Sequence, residues 1–194
     1  MSGLHALLNN FEVGELWVGE NPLTPEYVSL LKAALRRTVS IRRLGARDRF
    51  LFHSAQFEVL NPERRSRKGA TPTNNDSLAF RLQFGQRSFL LTGDIERRVE
   101  TEILNRGGAI HSDFLKVAHH GSRSSTQPEF LDRVGPVLAV ISVAEHSPFG
   151  HPHADVLDRL EQRHVPALRT DRDGAICIGT DGRILEVSLF RNGQ

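Results

Sequence analysis

Short apolar runs that each stop at a polar turn constrain this chain more than any other feature. Phe89-Leu90-Leu91 runs into Thr92-Gly93-Asp94. Leu115-Lys116-Val117 runs into Ala118-His119-His120-Gly121-Ser122, followed by Arg123-Ser124-Ser125-Thr126. Such brief apolar segments read as buried strands rather than helices. Helical periodicities lie between them, so strands and helices alternate along the chain. With hairpins interleaved, this predicts a layered α/β domain with mixed sheets.

Taken in order, the pattern predicts helices over residues 4–11 and 25–37, the second capped by Thr24 with Pro25 in its first turn. Strands are expected over 13–18 and 38–44, and one or two more within 50–60. Residues 63–76 are polar, basic and rich in turn formers, and read as a mobile loop. A hairpin over 77–84 and 87–91 turns at Gly85-Gln86. Then come a helix over 95–105, a strand over 114–117, a helix over 128–134, a strand over 137–143 and a helix over 153–164. Strands over 167–170, 175–178 and 184–189 complete the series. No linker or internal repeat divides residues 1–194, which read as a single domain.

Composition excludes several classes. Hydrophobic residues make up 39% and charged residues 25% of the 194, as in ordinary globular proteins. The net charge of +2 supplies no global basic field. One cysteine, Cys177, allows neither a disulfide framework nor a cysteine metal cluster. No run approaches the roughly 18 apolar residues of a membrane span, and no signal pattern opens the chain, so the chain as written is expected to be soluble.

The strand ends carry the chemistry. Asp94 can cap a helix starting at Ile95 or bind a metal, and one carboxylate can do both. His119 and His120 offer neutral imidazoles, common metal ligands. Side chains alternate across a strand, so at most one of the two is expected to be a first ligand. The Gly121–Ser125 tail offers backbone N–H groups, the hydroxyls of Ser122 and Ser125, and the Arg123 guanidinium, which suit phosphate oxygens. Lys116 adds a point charge if it faces the same cleft. His151, between Gly150 and Pro152, reads as a cap-region residue, a proton donor or a phosphate contact. Asp171 reads as a turn residue ahead of Asp173-Gly174.

Five segments occur in an order that resembles a known family: Asn74-Asn75-Asp76-Ser77-Leu78, Leu91-Thr92-Gly93-Asp94-Ile95-Glu96, Leu115 to Ser122, Gly150-His151-Pro152 and Arg169-Thr170-Asp171. They resemble the C-terminal metallo-β-lactamase-like domain of the ComEC family of DNA-internalisation competence proteins. The resemblance implies an αββα sandwich and a metal-dependent hydrolase acting on DNA phosphodiesters, with single-stranded DNA as partner. It implies one or two divalent cations, Zn or Mn. Asp94 matches the metal-bridging aspartate and His119 or His120 the last metal-binding histidine. Asn75, Asp76 and Ser77 stand where the superfamily has its middle histidine. Asn75, Ser77, Lys116, Ser122, Arg123, Ser125 and His151 fall to substrate or phosphate contacts, with Lys116 and His151 placed in the catalytic machinery. Full-length relatives are expected to join this domain to a membrane channel segment at the extracytoplasmic face of the inner membrane.

The superfamily's principal His-x-His-x-Asp-His motif is absent, the nearest run being His151-Pro152-His153-Ala154-Asp155. The chain is therefore expected to start just beyond that motif, to lack the first strands of the sandwich, and to bind metal weakly with little activity. Two other readings stand beside this one. One is a non-catalytic nucleic-acid-binding module using Arg64, Arg65, Lys68, Lys116 and Arg123. The other is a small-molecule hydrolase of the same superfamily.

Overall fold

The computed structural model describes residues 2–64 and 71–191; Arg65 and Lys68 lie outside the described residues. The elements in chain order are α1 (Ser2–Asn10), β1 (Glu15–Val18), α2 (Pro25–Arg36), β2 (Ser40–Arg43), β3 (Arg49–Phe52), β4 (Ala55–Asn61), β5 (Ala79–Phe84) and β6 (Arg87–Leu91). They continue with α3 (Arg97–Arg106), β7 (Phe114–Lys116), α4 (Pro128–Val134), β8 (Leu138–Ile141), α5 (Ala154–Glu161), β9 (Ala167–Arg169), the single turn α6 (Thr170–Asp173), β10 (Ala175–Thr180) and β11 (Leu185–Phe190).

Strands β3 to β9 form one seven-stranded sheet in sequence order. Pairings from β3 to β6 are antiparallel and those from β6 to β9 parallel. Parallel neighbours need crossovers, and α3, α4 and α5 supply them. Register aligns Leu90, Leu115 and Ala139 across three strands. These three join Val99 and Ile103 of α3, Phe130 and Leu131 of α4, and Val156 and Leu160 of α5 in the main core. On β6 the buried residues are Ser88 and Leu90, with Phe89 and Leu91 half-buried between them, the period-2 signature of a sheet.

A second, parallel pair, β1 with β2, contributes another layer. Trp17 of β1 meets Phe50 of β3 and Phe57 of β4 edge-on, with ring centroids 4.9 and 5.1 Å apart. Behind that pair, Leu30 and Ala34 of α2, Leu8 of α1 and Val39 form a small core of their own. Helices, small sheet, large sheet and helices thus stack as the expected α+β sandwich. Strands β10 and β11 pair antiparallel as a separate ribbon.

Local signals account for much of this. Thr24 caps α2, its hydroxyl accepting from Tyr27 N at 3.2 Å, with Pro25 in the first turn. Three expectations need correction. Residues 71–76, assigned to a mobile loop, close in a short 3-10 turn whose Asp76 is buried and accepts from Thr73 N at 2.8 Å. The helix expected from Ile95 starts at Arg97, with Glu96 in the cap position. The strand expected through Thr170 stops at Arg169, and Thr170 to Asp173 turn helically instead.

Candidate functional site

Because β6 to β9 run parallel, their C-terminal ends fall on one edge of the sheet. In open α/β sheets that edge is where ligands bind. Four segments leave it here: Thr92–Glu96 after β6, Val117–Gln127 after β7, Ser142-Val143 after β8 and Thr170–Asp173 after β9. Hydroxyl clamps tie neighbouring ends together. Thr92 Oγ1 donates to Lys116 O at 2.7 Å, and His119 N donates to Gly93 O at 3.1 Å.

Asp94 sits beyond a turn that only glycine fits. Gly93 has φ +58°, and a Cβ there would lie 2.7 Å from the Cβ of Ser77. The Ser77 hydroxyl accepts from Asp94 N at 3.0 Å. Asn75 Oδ1 accepts from Glu96 N at 2.9 Å. Asn75 and Ser77 therefore hold the Asp94–Glu96 turn by its backbone. Since α3 begins past Glu96, Asp94 has no capping duty and its carboxylate is half-exposed.

The two histidines diverge for a reason other than strand alternation. β7 ends at Lys116, and His119 and His120 lie in a 3-10 turn with left-handed backbones, φ 49° and 55°. Consecutive non-glycine residues in that region carry strain, which persists where the surroundings hold it in place. The rings separate to 6.5 Å between centroids. His120 Nδ1 lies 2.6 Å from Ser142 O, while its Nε2 lies 3.7 Å from Asp94 Oδ1. A carbonyl only accepts, so Nδ1 carries a proton, and Nε2 is the ring nitrogen that faces Asp94. Metal-ligating histidines have this arrangement.

His119 turns to a second cluster. Its Nδ1 lies 3.3 Å from Glu96 Oε1 without hydrogen-bond alignment, and its Nε2 lies 3.3 Å from Asn74 Nδ2. Glu96 also accepts from Asn75 Nδ2 at 3.2 Å and from the Ser124 hydroxyl at 3.1 Å. The His151 ring lies 5.7 Å from that of His119, and burial, followed by the neighbouring histidines, holds its pKa below the usual imidazole range. His151 is therefore neutral at pH 7. Lys116 is half-buried, and desolvation lowers its pKa, with Asp94 opposing the shift.

Asp94, Lys116, His119, His120 and His151 thus come together at this edge. Ser122 is nearly buried, with its hydroxyl 3.1 Å from that of Ser124. Ser125 is fully buried and donates to Ala118 O and Ser122 O, each at 2.9 Å, so its hydroxyl faces its own loop. Arg123 is exposed and pairs with Asp155 at 2.9 Å. Arg64 pairs with Asp48 at 2.5 Å and Glu20 at 3.7 Å. Asp171 is gripped by both branches of Arg169, at 3.0 and 2.6 Å.

Sequence reasoning assigned no role to Glu96, Ser142 or His153. Glu96 had a signal in its place two residues after Asp94. His153 caps α5, accepting from Asp155 N at 3.2 Å. Ser142 acts through its carbonyl, which any residue type would supply.

The donor set bears directly on a metal. Among the described residues no group of three or more His, Cys, Asp and Glu side chains is placed to hold an ion. Asp94 and His120 are two side chains, fewer than the donors a metal ion needs. No helix among the described residues is long and apolar enough to cross a membrane.

No protein-family model matches the chain. It is similar to ComE operon protein 3 of Bacillus subtilis, 35% identical over 166 residues, 86% of this chain and 21% of that protein. It is similar to the competence protein ComA of Neisseria gonorrhoeae, 32% identical over 69% of this chain and 19% of that protein. Recombination protein 2 of Haemophilus influenzae is 35% identical over 70% of this chain and 16% of that protein. The chain thus spans about a fifth of each relative's length or less. These relatives, over most of its length, make the chain a ComEC-like domain, a member of the ComEC family of competence proteins.

Proposed function

We propose that this domain serves DNA uptake, and that Asp94 and His120 are two donors of a divalent-metal centre acting on phosphodiesters of single-stranded DNA. The competence names of the relatives support the first part. One observation carries the second: His120 has its Nδ1 proton tied to Ser142 O, leaving Nε2 directed at Asp94. Among the described residues no third His, Cys, Asp or Glu is placed to join them. A Zn or Mn ion, when bound, activates water and polarises a phosphoryl oxygen.

This chain's own residues prepare the place. Ser77 and Asn75 hold the Asp94 turn. Lys116 offers a positive charge beside Asp94, and a partly buried cation is less screened from a phosphate than an exposed one. His151, kept neutral, has a ring nitrogen free to accept a proton, and it carries the positive charge only while it holds that proton. In the setting expected of full-length relatives, such a domain would meet DNA beside a membrane channel, at the extracytoplasmic face.

Two measurements test this. Zn²⁺ titration of the chain, followed at the His120 ring nitrogens by NMR, is expected to shift Nε2 with weak affinity. Asp94→Asn or His120→Gln should abolish the response. A metal response untouched by both substitutions would sink the metal assignment. For the reaction, the metal-loaded full-length protein should cut single-stranded DNA and lose that activity on Asp94→Asn. Intact DNA under those conditions would overturn the phosphodiesterase reading.

A further inference from the structure

The His120 ring is aimed by a backbone carbonyl, so whatever fixes that carbonyl fixes the ring. Ser142 and Val143 lie just past the end of β8, where the ladder to β9 has stopped, the last pair being Ile141 with Arg169. Nothing in the sheet itself holds the chain there. Thr170, the first residue after β9, takes over. Its Oγ1 accepts from Val143 N at 2.8 Å and donates to Val143 O at 2.8 Å. One hydroxyl thereby satisfies both backbone groups of a buried residue, as a partner strand would. Val143 is bonded directly to Ser142, so the plane of the Ser142 carbonyl is set by this grip.

Thr170 is held in turn. It opens α6, and Arg169 before it donates its backbone N–H to Asp173 Oδ2 at 2.8 Å. Asp173 is buried and also accepts from Arg191 at 3.1 Å. The chain of contacts runs from the buried carboxylate through the β9–α6 turn to Thr170, Val143, Ser142 and the imidazole.

We propose that Thr170 is a positioning residue for His120: by clamping Val143 it keeps Ser142 O where it captures the Nδ1 proton and leaves Nε2 free toward Asp94. Its functional importance rests on the reading of Asp94 and His120 as a donor pair, but the geometric claim does not. Valine has the shape of threonine without the hydroxyl, and serine keeps the hydroxyl without the methyl. The pair separates the clamp from the packing.

The test reads the His120 tautomer directly, by ring-nitrogen NMR of the metal-free chain at a pH where the imidazole is neutral. Wild type and Thr170→Ser should show the Nδ1–H form almost alone. Thr170→Val should shift His120 toward an even mixture of the two tautomers, while His153 and His111 stay unchanged. An unchanged His120 in a folded Thr170→Val variant overturns the proposal, as does a Thr170→Ser variant that behaves like Thr170→Val. Should the valine variant not fold, the wild type decides. Its Val143 amide is expected among the slowly exchanging amides of the strand edge, and a rapidly exchanging Val143 overturns the clamp. Zn²⁺ titration of the same samples keeps the two ideas apart. A tautomer change with no metal response in any sample would leave the clamp standing and strike only the metal centre.

Discussion

The two halves of the large sheet are built from similar strands and do different things. From β3 to β6 the pairing is antiparallel, and from β6 to β9 it is parallel. In the antiparallel half successive strands end on opposite edges, so of the connections between them only that from β4 to β5, with Asn75 and Ser77, reaches the edge that carries Asp94. That half is closed by rings instead, with Phe50 stacked on Phe57 at 5.1 Å and Trp17 across both. In the parallel half every strand ends on the same edge, and Asp94, His120, Ser142 and Thr170 leave four neighbouring ends. The site's location follows from strand direction before any residue type is considered. The parallel half also holds most of the main core, so the rigid part of the molecule and its polar edge are the same part.

The largest effect expected from this difference is on stability. Leu90 is fully buried on β6, the central strand where the parallel half begins, whereas Leu51 on the edge strand β3 is 70% exposed. Leu90→Ala is predicted to lower the unfolding free energy by about 4 kcal/mol. Leu51→Ala should change it by less than about 0.5 kcal/mol. Urea denaturation of both variants measures this. Similar losses in the two would mean that the halves share one evenly distributed core.

Next in size is a buried charge. Glu100 of α3 is 1% exposed and holds the far end of the loop that begins with the two histidines, accepting from Thr126 N at 2.5 Å and Gln127 N at 2.9 Å. Arg159 grips Ser125 O at 2.9 Å, and Arg97 grips Gln127 Oε1 at 2.7 Å. Burial pushes the Glu100 carboxyl up from 4.5 to about 7, against the pull of those amides and of both arginines. The native state therefore binds this proton more tightly than the unfolded chain does. Its contribution to stability is full below the unfolded value of 4.5 and is lost as pH rises through about 7. Glu100→Gln cannot titrate. The difference in unfolding free energy between variant and wild type is predicted to move in the variant's favour by about 2–3 kcal/mol between pH 4.5 and pH 8. A difference that stays flat over that range would show that the carboxylate is solvated and that the loop is anchored by the arginines alone.

How legible these features are in the sequence depends on how far away their causes lie. Thr24-Pro25 announces the start of α2 because the cap and the helix are adjacent, and Gly85-Gln86 announces its hairpin in the same way. Asp94 as helix cap fails because Asn75, remote in sequence, takes the Glu96 N–H and delays the helix by two residues. The double histidine was visible as a motif, but its geometry was not. Two left-handed backbones in a row have no local code outside glycine and asparagine, and here His119 N and His120 Nδ1 are tied to carbonyls on neighbouring strand ends. In Arg169-Thr170-Asp171 the carboxylate of Asp171 is the conspicuous group, and a hydroxyl that closes a strand edge, as that of Thr170 does, leaves no sequence signal at all. The polar edge was readable as composition and order, and its wiring was not, because each wire joins segments from different strands.

Gly93 gives the smallest and most local of these effects, and the sharpest contrast between the halves and the ribbon beyond them. A methyl at Gly93 meets two obstacles: a left-handed backbone, which L side chains adopt at a cost of about 1–2 kcal/mol, and the Ser77 Cβ at 2.7 Å. Ser77 is the residue whose hydroxyl receives Asp94 N, so relief of the clash moves Asp94 with it. Gly179, on β10, has open space around its would-be Cβ and no positive φ. Gly179→Ala is expected to be neutral or to stabilise by about 0.5 kcal/mol, since alanine has less freedom to lose on folding. Gly93→Ala should cost about 1–2 kcal/mol from the backbone alone, with the clash against Ser77 added to it, and shift the Asp94 and His120 resonances in NMR spectra. If Gly93→Ala left both resonances in place, the Asp94 turn would be set by β6 and α3 alone, and the Asn75–Ser77 segment would have no part in shaping the site.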